Sequence, residues 1–290
     1  MDLSRIDLGP ERDRRSIIAL LAQGVLDPRL AALAWLLVEK RVPLVVAAGP
    51  SGTGKTVLLR ALLGFLPQGT KVRTIAGEWE TWAWLPADVR TELGILVYGD
   101  RAAGDPSTAA ETGSVLVVPE FSSHLPVYAW NGTARTAIRL ASRGFGLGGT
   151  VHGESLEDVL GVLGGPGIGA TADELSHLGL VLVVRAVDPA LGERSRRRVV
   201  AAHYVRPVAL DAGGHVQRLG PAVLATWDAA TDTFEDFAWG VLPEIAARLG
   251  LRSGDLDLER DRRAAYLEAL TSAGIDEESS VAAAIAAYGR

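Results

Sequence analysis

Gly49-Pro50-Ser51-Gly52-Thr53-Gly54-Lys55-Thr56 fits the pattern G-x-x-x-x-G-K-T, a loop built to hold phosphate groups. The chemistry follows from the residue types. Glycines let backbone N–H groups curl around an anion, Lys55 reaches the β- and γ-phosphates of a nucleotide, and the Thr56 hydroxyl takes one position on Mg²⁺. The flanks agree. Leu44-Val45-Val46-Ala47-Ala48 is a short apolar run of the kind that forms a buried parallel strand. Val57 to Leu63 reads as a buried helix whose N-terminus, with its partial positive charge, faces the phosphates. Glycines alone carry little weight in a chain with 33 of them, but lysine occurs only at 40, 55 and 71. One lysine falls where the motif needs it. The expected nucleotide contacts are Gly49, Ser51, Gly52, Thr53, Gly54, Lys55, Thr56 and Val57, with ATP and Mg²⁺ as ligands.

Working outward, 290 residues suffice for one large domain or one domain with appendages. The pattern divides into a short helical segment (1–40), a phosphate-loop domain (41–240) and a helical tail (241–290). Cysteine is absent, which excludes disulfides and thiolate-bound metals. No apolar stretch is long enough to cross a bilayer, and the residues after Met1 do not open a signal peptide, so a cytoplasmic location is expected. A net charge of −6 argues against a chain that coats nucleic acid. The basic cluster Arg194 to Arg198 reads as a solvated hairpin turn, with a partner contact as the sharper alternative.

Two short helices split by Asp27-Pro28 are expected before the first strand. Strand-like runs follow at 71–75, 95–98, 115–118 and 148–152. A helix capped by Asn131 or Thr133 runs to Ser142, and Ser155 with Asp158 opens another. Gly161 to Gly169 is expected to be loop. Strands at 180–187, 198–205 and 222–227, a turn at 228–232 and a return at 233–237 precede a tail that is helical from Pro243 onward. Gly250 and Gly274 act as helix stops, and Val281, Ile285 and Tyr288 share a helical stripe. Alternating strands and helices up to about 187 predict an α/β fold with a mostly parallel sheet flanked by helices, followed by β-hairpins and the helical tail. Trp79, Trp82 and Trp84 crowd one segment; packing in a core or interface is the simpler reading, and stacking on adenine or docking a partner the alternative.

Hydrolysis of a phosphoanhydride needs a carboxylate near Mg²⁺ and the attacking water. Glu120, after the apolar run Val115 to Val118, is the candidate base and metal-side carboxylate, alongside Thr56. His152, after Thr150-Val151, is placed to face the γ-phosphate.

The order of these elements resembles the type II/type IV secretion-system ATPase family, over roughly residues 28 to 288. Ala32 to Leu37 leading into the phosphate loop is similar to that family's opening helix and strand. Thr74-Ile75 with Glu78 and Glu80 occupies the place of its Asp box. Glu120 followed by Thr136 to Gly144 resembles its Walker B segment and next helix, and Thr150 to Ser155 its His box. Arg197 to Val200, Trp227-Asp228 and Thr233-Phe234 resemble its hairpins, and Asp261 to Tyr288 the helical end of its archaeal-type branch. The resemblance implies a RecA-like phosphate-loop core, a homo-hexamer with ATP at subunit interfaces, and a membrane platform protein as partner on the cytoplasmic face. No nucleic-acid partner is implied. It assigns catalysis to Glu120, His152 and one of Glu78 and Glu80, and leaves Arg139 and Arg143 as candidates for the nucleotide or a neighbouring subunit.

Three departures accompany it. Only about 40 residues precede the first strand, where the family carries a substantial domain that helps close the nucleotide site. Ala76-Gly77 stands where a Glu-Asp pair is usual, and Ser122 where an arginine is usual. The expected function is an ATP-driven motor subunit. A nucleotide-binding scaffold with little turnover is the second reading. A DNA-translocating ring, which the acidic balance disfavours, and a small-molecule kinase, for which no acceptor pocket is legible, follow.

Overall fold

All five side chains of Leu44–Ala48 (β1) are buried, as a strand enclosed on both sides requires. The computed structural model describes residues 14–49, 52–95, 113–188, 195–210, 213 and 215–289. In it β1 pairs in parallel with Gly146–His152 (β4) on one side and Leu180–Ala186 (β5) on the other. Beyond β4 lie Val115–Phe121 (β3) and Val72–Thr74 (β2), both parallel. Beyond β5 the chain turns back on itself. Arg197–Tyr204 (β6) runs antiparallel to β5, and Ala222–Asp228 (β9) and Thr233–Asp236 (β10) continue as hairpins. The order is β10-β9-β6-β5-β1-β4-β3-β2, with Ala209–Leu210 (β7) and Val216–Gln217 (β8) forming a separate ribbon. The expected mixed sheet, parallel before hairpins, is what the chain forms.

Strand period sorts the core into two layers. Val46, Ala48, Leu182 and Val184 face one side, packed with Ile17–Ala22 (α1), Pro28–Glu39 (α2), Lys55–Leu63 (α3), Leu242–Leu249 (α8) and Ser253–Ser272 (α9). Val45, Ala47, Leu116 and Val181 face the other, packed with Asn131–Ala141 (α5), Leu156–Gly164 (α6) and Ala172–Leu175 (α7). The short helix Ala87–Leu93 (α4) adds Leu93 to the second layer. β4 fits between its neighbours because it is rich in glycine. A Cβ on Gly149 would lie 2.5 Å from Phe121 Cε2, so the ring of β3 rests directly on the β4 backbone.

The tail closes over the first layer. Trp35 of α2 stacks on Phe65 at 5.0 Å, and Tyr266 and Tyr288 complete the cluster. Val281 of Glu278–Ala287 (α10) is buried, as its stripe predicts. Arg260 of α9 is 2 % exposed; it donates to the Arg29 carbonyl and pairs with Asp236 at 2.9 Å. Burial pushes the Asp236 carboxyl up, and the hydrogen bond and charge of Arg260 outweigh it, leaving it below the usual carboxylate range. The folded value therefore lies under the unfolded one. The pair's stabilisation is complete above roughly pH 4 and fades as pH falls through the folded value. Asp236→Ala is expected to cost about 2 kcal/mol in urea unfolding at pH 7, less than a fully buried pair because Asp236 keeps 26 % of its surface in solvent. The deficit should shrink in acid.

Three local expectations change, and a fourth holds for two of its three residues. Gly161 to Gly164 are helical, completing α6, and the loop starts at Gly165. Neither Asn131 nor Thr133 caps α5. Trp130 holds that position, and its indole fills the space a side chain on Gly167 would take. Of the run 95–98, Ile95 is outside any strand and the other three lie outside the described residues. Trp82 and Trp84 are both buried with ring centroids 5.7 Å apart, so packing accounts for them, whereas Trp79 is 64 % exposed.

Candidate functional site: a glycine-rich loop facing a carboxylate and a histidine

Parallel strands leave the ends of β1, β3 and β4 at one edge of the sheet, and the candidate residues gather there. Gly52 and Gly54 take φ of +81° and +96°, a region open to glycine at no steric cost. Gly54 is the N-cap of α3. No side chain caps that end, and the first turn holds Lys55 where an acid would complement the dipole. An uncapped positive helix end beside a buried lysine suits an anion. Gly49, Gly52, Thr53, Gly54, Lys55, Thr56 and Val57 all belong to this loop and first turn; Ser51 lies outside the described residues.

Glu120 sits within β3 and not after it. Pro119 has no N–H to give to the ladder, and the β3–β4 register shifts between Val118 and Phe121. The Glu120 carboxylate lies 3.6 Å from Lys55 Nζ and 2.9 Å from His152 Nε2. His152 ends β4, the strand between β1, which leads into the loop before Lys55, and β3, which carries Glu120. Its Nδ1 lies 2.6 Å from the Gly49 carbonyl oxygen. That oxygen only accepts, so Nδ1 donates to it. Nε2 then faces Glu120 Oε1, a buried oxygen that Lys55 Nζ also approaches. His152 thereby stands between Glu120 and Gly49, the first residue of the glycine-rich loop.

Glu78 and Glu80 do not join this cluster. Glu80 accepts from the N–H groups of Ala76 and Trp82 and from Trp84 Nε1, at 3.2, 3.0 and 2.9 Å. Its carboxylate is built into its own turn. Glu78 is exposed on the single 3-10 turn Gly77–Trp79, and its N–H donates to the Pro126 carbonyl. Arg139 and Arg143 are engaged by Glu174 and Glu92. Where the pattern lacks an arginine, Ser122 is buried with its Oγ 2.8 Å from His124 Nδ1.

Sequence reading missed the role of the basic cluster. Arg196 and Arg198 bind Asp232 across the β9–β10 turn, both at 2.8 Å. Arg197, between them, donates to the Gly52 carbonyl at 3.3 Å and runs over Gly54. The only signal was strand alternation within Arg196-Arg197-Arg198, which cannot say what each face meets. Arg185 of β5 donates to the Glu154 carbonyl at 2.8 Å beside the same loop. No helix among the described residues is long and apolar enough to cross a membrane. No known family model matches the chain, and no curated protein matches it.

Proposed function

We propose that the protein is an Mg²⁺-dependent ATPase with a RecA-like core. The observation that carries the reading is the convergence of Lys55, Glu120 and His152 at an uncapped helix N-terminus. Glycine N–H groups and the α3 dipole would receive the β-phosphate, and Lys55 would leave Glu120 for the γ-phosphate. Glu120, released from Lys55, would orient or deprotonate water, and His152 would relay the state of the γ-phosphate to Gly49. Thr56 and Glu120 would hold Mg²⁺, which supplies charge neutralisation on the phosphate oxygens. The donor set fits an ion that keeps waters and phosphate ligands: no cluster of three metal-ligating side chains occurs among the described residues.

The resemblance extends this proposal to a motor subunit of a secretion or type IV pilus-like machine, a homo-hexamer acting on a membrane platform protein. One observation favours the low-turnover scaffold instead: Glu80 is committed to its turn, leaving Glu120 as the one acid in the cluster. Phosphate release from ATP by the purified protein, with and without Mg²⁺, separates the two. Mg²⁺-dependent turnover supports the motor; tight ATP binding without turnover supports the scaffold.

A further inference from the structure

β1 stands between β4 and β5, and Glu120 comes from β3, beyond β4. A γ-phosphate facing Glu120 lies on that side of the loop. The rest of a nucleotide must then run the other way, over β5 and β6, about 5 and 10 Å from β1 at ordinary strand spacing. A groove of about 550 Å³ opens there, within the range of small-molecule sites. Val183 and Ala201 line it with Trp227 and His203, and Arg185 and Glu157 contribute polar groups. Glu154 joins groove to loop: it lines the groove, and a Cβ on Gly49 would lie 2.3 Å from its Oε1.

We propose that this groove seats the base of the bound nucleotide, with Trp227 as its stacking platform; the proposal rests on the nucleotide reading of the phosphate loop. Trp227 is held in orientation before any ligand arrives. Its Nε1 donates to Asp232 Oδ1 at 2.8 Å, and Asp232 is itself gripped by Arg196 and Arg198. That gives the basic cluster a purpose at the site. Burial lowers the pKa of His203, so its neutral ring offers a donor and an acceptor to the edge of a heterocycle.

The test compares ATP with inorganic tripolyphosphate, which shares the phosphates and lacks the nucleoside. Calorimetric affinities with Mg²⁺ are measured for the wild type, Trp227→Leu and Ala201→Leu. The wild type should hold ATP at least about tenfold tighter than tripolyphosphate, and each variant should lose about tenfold for ATP while keeping its tripolyphosphate affinity. Ala201→Leu fills the groove without touching the Asp232 network, so the test stands if Trp227→Leu fails to fold. Equal wild-type affinities for the two ligands, or variants that bind ATP like the wild type, overturn the groove assignment while the phosphate loop survives. A wild type that binds neither ATP nor tripolyphosphate overturns the phosphate-loop reading, and the groove assignment falls with it.

Discussion

Lys55→Ala is expected to weaken ATP binding by at least about a hundredfold and to abolish measurable turnover. Charge-assisted hydrogen bonds contribute about 1.5–3 kcal/mol each, and Lys55 would make two, to the β- and γ-phosphates. At about 1.4 kcal/mol per tenfold, the lower bound already gives a factor near one hundred. The side chain is 8 % exposed and points into the cluster, so no other lysine can substitute. In the ligand-free protein the substitution also leaves Glu120 with His152 as its remaining partner. Unfolding measured beside calorimetry separates the two consequences. A Lys55→Ala protein that keeps its fold and binds ATP within about threefold of the wild type would remove Lys55 from the nucleotide site.

Glu120→Gln should lower turnover by about 10²–10⁴ while ATP affinity is retained, the span that general acid–base groups contribute. The amide keeps the size of the carboxylate and loses its charge and basicity. It can also donate to His152 Nε2, leaving Nδ1 on the Gly49 carbonyl. The loop tether should therefore survive while the base is lost. Single-turnover rates and equilibrium binding report the two quantities separately. Unchanged turnover would move water activation to another group, and Glu78, exposed on the turn beside the 122–128 loop, is the next to replace. Loss of binding in this variant would make Glu120 a positioning residue for the loop.

These two residues also mark how far the sequence could be read. The placement of Lys55 at the start of a helix after a buried strand was legible, because strand, glycines, lysine and helix are contiguous and each obeys a local rule. Glu120 was legible as a candidate, because a carboxylate follows an apolar run. Its meeting with Lys55 and His152 was not, since it depends on the register of three strands far apart in the chain. Glu78 and Glu80 were indistinguishable as letters. Only the turn at Gly77 separates them: its φ is +60°, and a Cβ there would lie 2.1 Å from the Pro126 carbonyl oxygen. That close approach leaves Glu78 outside and folds Glu80 back onto Ala76, Trp82 and Trp84.

Local pattern was enough for the glycine-rich turn between a buried strand and a helix, and for the succession of parallel strands and hairpins. Those are matters of short-range periodicity and backbone permissiveness, which neighbouring residues decide. Long-range packing was needed to set His152 between Glu120 and the Gly49 carbonyl, to split three adjacent arginines between Asp232 and the loop, and to open the groove beside it. Each joins groups from separate strands, turns and loops. Their distances are set by pairing order, a one-residue bulge and close packing across the sheet, none of which a local pattern encodes.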